Sequence, residues 1–105
     1  MVSKEKYIEI GKKYNLHYYP ALDNFYFNWI EGDWNRNYQV TSYYHDKIYV
    51  WPHLKITKDN RIVNKEDRIT ITSEEVFEKT IQNFVKQLKE KQFIVKERQI
   101  KEDFV

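Results

Sequence analysis

The chain has 105 residues, about one domain's length. Its 18 Lys and Arg nearly balance 16 Asp and Glu, for a net charge of +2, and nine Tyr, six Phe and three Trp make 17% of it aromatic. The absence of Cys excludes a disulfide framework and a thiolate metal ligand or nucleophile; two Gly and two Pro exclude a collagenous or linker-like chain. The aromatic load argues against disorder, and the balanced charge lacks the electrostatic footprint of a nucleic-acid binder.

The first expected element covers residues 3–14. Ser3 is a good N-cap, and Tyr7, Ile8, Ile10 and Tyr14 recur at rough helical spacing. Gly11 weakens this short helix and Asn15 is a reasonable stop.

From Leu16 to Thr72 the pattern is that of strands. Residues 16–19 form a short one, closed by Pro20. Within 25–30, Phe25, Phe27 and Trp29 share one face, and Tyr26, Asn28 and Ile30 the other. Glu31-Gly32-Asp33 then turns. Residues 37–45 alternate again: Tyr38, Val40, Ser42 and Tyr44 on one side; Gln39, Thr41, Tyr43 and His45 on the other. A two-residue turn at Asp46-Lys47 and a return strand over 48–51 complete a hairpin. Pro52 ends or bends that strand or marks an edge, and Leu54 and Ile56 can continue it. Lys58-Asp59-Asn60 turns again, with Asn60 able to take a positive φ. Residues 61–63 and 68–71 are two further strands. Such short spacings favour an antiparallel meander.

Thr72-Ser73-Glu74-Glu75 fits a capping box with Thr72 as the cap, and Ile71 with Val76 fits a hydrophobic staple. Phe77, Ile81, Phe84, Val85 and Leu88 follow at helical spacing, and Glu75 precedes Lys79 by four. These predict a helix over 73–91. Beyond Lys91, Val95 stays on that stripe, but Phe93, Ile100 and Phe104 fall on roughly the opposite side. The preferred resolution is a break near Lys91, with a second helix turned onto the same core. The alternatives are a strand over 92–96, or one continuous helix whose second face meets another molecule.

Chemistry-bearing motifs are sparse. His17, His45 and His53 lie in or beside strands, and no two have a metal-chelating spacing. His45 or His53 can be cast as the base of a small metal-free RNase, but surface histidines on a sheet explain both more simply. Asp23, Glu31, Asp33, Asp46 and Asp59 fall in turns, where carboxylates bond locally. There is no Gly-rich phosphate loop. No catalytic residue, metal or cofactor is assigned. No apolar run reaches the roughly 20 residues of a membrane span, no signal-peptide core follows the basic start, and a cytoplasmic protein is expected. The usage of Lys, Ile, Asn and Tyr resembles an AT-rich coding sequence, as in phages and mobile elements.

The aromatic residues are the unusual feature, because they crowd into residues 25–51 on both sides of the expected hairpin. Two helices can sandwich that hairpin and bury both sides. Alternatively one aromatic side stays exposed, rimmed by Arg36, Lys47, Lys55 and Arg61. Tyr, Trp and Arg suit a protein partner; stacked single-stranded bases are the second reading. The expected fold is α+β: a four- to five-stranded antiparallel meander, a short N-terminal helix and a long capped C-terminal helix, in a single domain. The expected function is non-catalytic protein binding, as in an accessory or inhibitor protein, with nucleic-acid binding and the RNase as alternatives. Candidate contacts are Trp34, Arg36, Tyr43, Tyr49 and Trp51 on the sheet, and Phe93, Ile100 and Phe104 on the C-terminal helix, where a homodimer can form.

Overall fold

The computed structural model describes residues 2–20, 24–32 and 35–103. The fold is α+β. Helix α1 (Lys4–Lys13) leads into strands β1 (His17–Pro20) and β2 (Asn24–Asn28). A 3-10 turn (Arg36–Tyr38) precedes the hairpin of β3 (Gln39–Tyr44) and β4 (Lys47–Val50). Strands β5 (Leu54–Ile56) and β6 (Ile62–Asn64) form a second hairpin, and β7 (Ile69–Ile71) leads to α2 (Glu74–Asp103). The main sheet is antiparallel throughout, in the order β1-β2-β3-β4-β7. No helix among the described residues is long and apolar enough to cross a membrane.

Both helices lie on one side of this sheet. Tyr7 and Ile10 of α1 and Phe77, Ile81, Phe84 and Leu88 of α2 close over Phe27, Tyr43, Ile48, Val50 and Ile71. Tyr7 sits at the centre, its ring 5.3 Å from Phe77, 5.4 Å from Phe27 and 5.2 Å from Tyr43. Burial drives its hydroxyl pKa far up, and the neutral hydroxyl reaches Thr41 Oγ1 at 3.5 Å. Ser3 caps α1 by accepting from Lys6 N, and Asn15 follows the helix at φ 63. Gly11 has a packing reason: a Cβ there would overlap the buried Phe27 ring. The residue that costs α1 propensity lets the helix approach the sheet closely.

Several local expectations shift. The hairpin turn is His45-Asp46, with Tyr44 opposite Lys47, and both turn residues have positive φ. That is the type I′ geometry that matches the twist of paired strands. The turn lies one residue earlier than Asp46-Lys47, which moves each cross-strand partner by two residues and leaves the faces of β4 unchanged. A bulge between Phe27 and Asn28 disturbs the alternation of β3, and Val40 is fully buried. The cap of α2 is Ser73 and not Thr72: Ser73 Oγ accepts from Val76 N and its carbonyl from Phe77 N. Glu75 therefore misses the third helical position that a capping box needs. Phe77 turns into the core and Val76 is 53% exposed, so no Ile71–Val76 staple forms.

The chain after Trp51 does not extend β4. Pro52 cannot donate to a ladder, and Gln87 of α2 captures the exposed backbone instead. Its Oε1 accepts from Leu54 N at 2.7 Å and its Nε2 donates to Pro52 O at 3.0 Å. The β5–β6 hairpin is thereby laid along α2, with Asn60 turning at φ 61 and its amide reaching Glu102. Replacing Gln87 with Leu strips partners from a half-buried amide and carbonyl, and is expected to cost about 1–3 kcal/mol in urea unfolding.

This hairpin also explains why α2 does not break near Lys91. Lys91 and Val95 are half-buried along the stripe that Leu88 begins, and no Gly or Pro interrupts the helix. The 30 residues of α2 run unbroken for about 45 Å. Residues 92–103 are neither a strand nor a separate helix.

Candidate binding face on the open side of the sheet

The side of the sheet turned away from the helices is built by simple alternation. One row crosses all five strands through Tyr19, Tyr26, Ser42, Tyr49 and Thr70, each a cross-strand partner of the next. All five side chains carry a hydroxyl, so this face can stay wet while the opposite face is apolar. Tyr19 and Tyr26 stack at 5.5 Å, and the Tyr19 hydroxyl donates to Ile30 O. Burial raises the Tyr26 hydroxyl pKa. Beside this row, Tyr44 is paired with Asn24 and with Lys47.

Where β4 runs out and β7 begins, this face deepens into a cleft of about 570 Å³. Trp51, Tyr49, Tyr44, Arg36, Arg68 and Glu66 are among its lining side chains. The Arg68 guanidinium lies 4.2 Å from the centre of the Tyr49 ring, a cation–π contact that restrains the side chain. Asn64 is the brace behind the cleft. Its Nδ2 donates to Arg36 O and Gln39 O at 2.9 and 3.0 Å, and its Oδ1 accepts from Glu66 N. That side chain is almost fully buried, so it fixes the loop before β3 and the segment before β7 relative to each other.

The expected site residues separate. Arg36, Tyr49 and Trp51 come together at the cleft. Tyr43 does not: it is buried on the helical side, its hydroxyl within reach of Val2 O and the Asp46 carboxylate. Burial and the Asp46 carboxylate raise its pKa. The register pairs Tyr43 with Ile48 and Tyr49 with Ser42, so the two tyrosines project from opposite faces of the hairpin. Trp34 and Phe104 lie outside the described residues. Phe93 and Ile100 stand on α2, away from the cleft, at 62% and 49% exposure. Of the expected basic rim, Lys55 lies on the separate hairpin, and Arg61 is ion-paired with Asp59 there. Two helices do not sandwich the hairpin; they share one side.

Arg68 and Glu66 were not legible as site residues from spacing alone. A signal existed for Arg68: in Arg68-Ile69-Thr70-Ile71 the two isoleucines belong to the core side, which places Arg68 and Thr70 on the other. For Glu66 the signal is structural, a non-glycine residue at φ 65.

The histidines do not converge. His17 pairs with Asn28 at one end of the strands and His45 tips the hairpin at the other. The His53 Nδ1 is bonded to Asp67, which would orient the ring for proton transfer through Nε2. Both groups are exposed, and neither lines the cleft. Among the described residues no group of three His, Asp or Glu is placed to hold a metal. No family model, curated protein or solved structure matches the chain.

Proposed function

We propose that the protein is a small non-catalytic binding module that holds a protein partner on the open face of its sheet, as an accessory or inhibitor protein would. The observation that carries this reading is that both helices cover the same side. Tyr44, Tyr49, Trp51, Arg36 and Arg68 are thereby left together at the surface, and Tyr, Trp and Arg dominate interface hot spots. The Asn64 brace supports it, because a pre-organised surface loses less freedom on binding. The test is a random-peptide display selection against the whole chain. Enriched peptides should lose binding to Trp51→Ala and retain it with Lys79→Gln on the far side of α2. Enriched peptides indifferent to Trp51→Ala would overturn the reading. So would tighter retention on single-stranded DNA or RNA with a steep salt dependence.

A second surface belongs to the same reading. Phe93 and Ile100 form an exposed seam on α2. At 100° per residue, Lys89 and Lys96 flank it on one side, and Glu90 and Glu97 on the other. Two copies lying parallel along this seam place each Lys beside a Glu of the other copy. The small apolar area implies a weak, concentration-dependent dimer. Light scattering at high concentration should show it for the parent and not for Phe93→Asp; a monomeric parent removes the dimer.

A further inference from the structure

We infer that the cleft receives an acidic, extended segment of a protein, with Arg36 and Arg68 taking its carboxylates, Trp51 and Tyr44 its apolar side chains, and Glu66 excluding polyanions. This inference rests on the protein-binding reading of the sheet face and adds the chemistry of the ligand.

The charges around the cleft carry the argument. Arg36 and Arg68 are set apart from the other cations by their place, in a cleft walled by Trp51, Tyr49 and Tyr44. Like most of the lysines among the described residues they have no ion pair, so both guanidiniums are available to a ligand in that cleft. Arg68 is already held over Tyr49 by the cation–π contact. Its free N–H edges therefore stand ready for a carboxylate, and little side-chain freedom remains to be lost. The cleft is open at the surface and bordered by the amides of Asn24 and Gln39, which can bond the backbone of an extended strand.

Glu66 supplies the discrimination. Its φ of 65 is a conformation that Gly or Asn adopts at less cost than Glu. The position is held by the Asn64 Oδ1 contact to its backbone N–H, which any residue type would allow. The side chain itself makes no local bond that would explain its choice, and strain of this kind concentrates where a side chain is needed for function. One negative charge in the same cleft as two guanidiniums tolerates a ligand with a few spaced carboxylates. A continuous phosphodiester chain would be forced against it.

The test uses the full isotope-labelled chain and follows the Trp51 Nε1–H and Arg68 Nε–H signals. The probes are a short peptide alternating Glu with Phe, the same peptide with Gln for Glu, and an oligouridylate. The acidic peptide should bind about tenfold tighter than the neutral one, and Arg36→Gln or Arg68→Gln should erase that difference. Glu66→Gln should raise oligouridylate affinity severalfold. Glu66→Gly should do the same and also raise the melting temperature by a few degrees, as the strain is released. Equal affinity for both peptides at Trp51 would overturn the acidic ligand while leaving the face a protein surface. An oligouridylate tighter than either peptide would overturn it in favour of nucleic acid. If no probe moves Trp51, and display-selected peptides also ignore Trp51→Ala, the underlying reading fails as well. Should Arg68→Gln fold poorly by its melting curve, Arg36→Gln carries the comparison alone.

Discussion

Replacing Phe77 with Ala is expected to destabilise the protein by about 3–5 kcal/mol, whereas Phe93→Ala should leave stability within about 0.5 kcal/mol of the parent. Both are phenylalanines on the same helix, so helix propensity and composition do not distinguish them. Position does. Phe77 is fully buried and lies nearly parallel to Tyr7, which in turn touches Phe27 and Tyr43. Its removal leaves a void beside a cluster of three rings from three other elements, and the stacked Tyr7 cannot collapse into it without leaving Thr41. Domains of this class are stable by only about 5–15 kcal/mol, so the loss is a large part of the whole. Chemical denaturation of the two variants measures the contrast. A small effect at Phe77 would mean that α2 does not pack on the sheet in this phase.

The second large effect concerns binding. Trp51→Ala is expected to weaken the partner complex by about 2 kcal/mol or more, roughly 30-fold, while lowering the stability of the free protein by about 1 kcal/mol or less. Trp51 lines the cleft beside Tyr49 and Arg68 and is only half-buried. Its backbone N–H still bonds Val40 O when the indole is gone, so the end of β4 stays anchored. Arg68→Ala should act in the same direction, since it removes both a charge and the lid over the Tyr49 ring. Comparing titration calorimetry with melting curves separates a lost contact from a damaged fold. An affinity loss matched by an equal loss of stability would place Trp51 in the core instead.

Much of this architecture can be read from particular residues. The spacing of Phe77, Ile81, Phe84 and Leu88 predicts α2 because that stripe is its buried side. Ser3 and Asn15 bracket α1, Pro20 closes β1 and Asn60 takes the positive φ expected where Gly is missing. The candidate face was harder to read because both faces of the hairpin carry aromatic residues, Tyr43 on one and Tyr44 and Tyr49 on the other, so alternation alone does not mark the core side. No Gly marks the β3–β4 turn, and His45-Asp46 and Asp46-Lys47 are equally polar. Choosing the wrong pair moves the partner of Tyr43 from Ile48 to Val50 but not the face on which it stands. The continuation of α2 was hidden for another reason. Its support after Leu88 is a tertiary one, the β5–β6 hairpin held by Gln87 and reaching Glu102 through Asn60. Likewise, two amphipathic helices do not state whether they cover one side of a sheet or both. That choice follows from connection lengths and handedness, and it decides whether the aromatic residues of the hairpin are core or surface.

On this reading a protein partner other than a second copy sits on the uncovered face, and not on the helical side or the end of α2. The most direct test is the NMR footprint of a display-selected peptide on the whole chain. The account predicts perturbations centred on Tyr44, Tyr49, Trp51 and Arg68, with Phe93 and Ile100 unmoved. A footprint confined to α2, or one that leaves Trp51 and Arg68 unchanged, would contradict it.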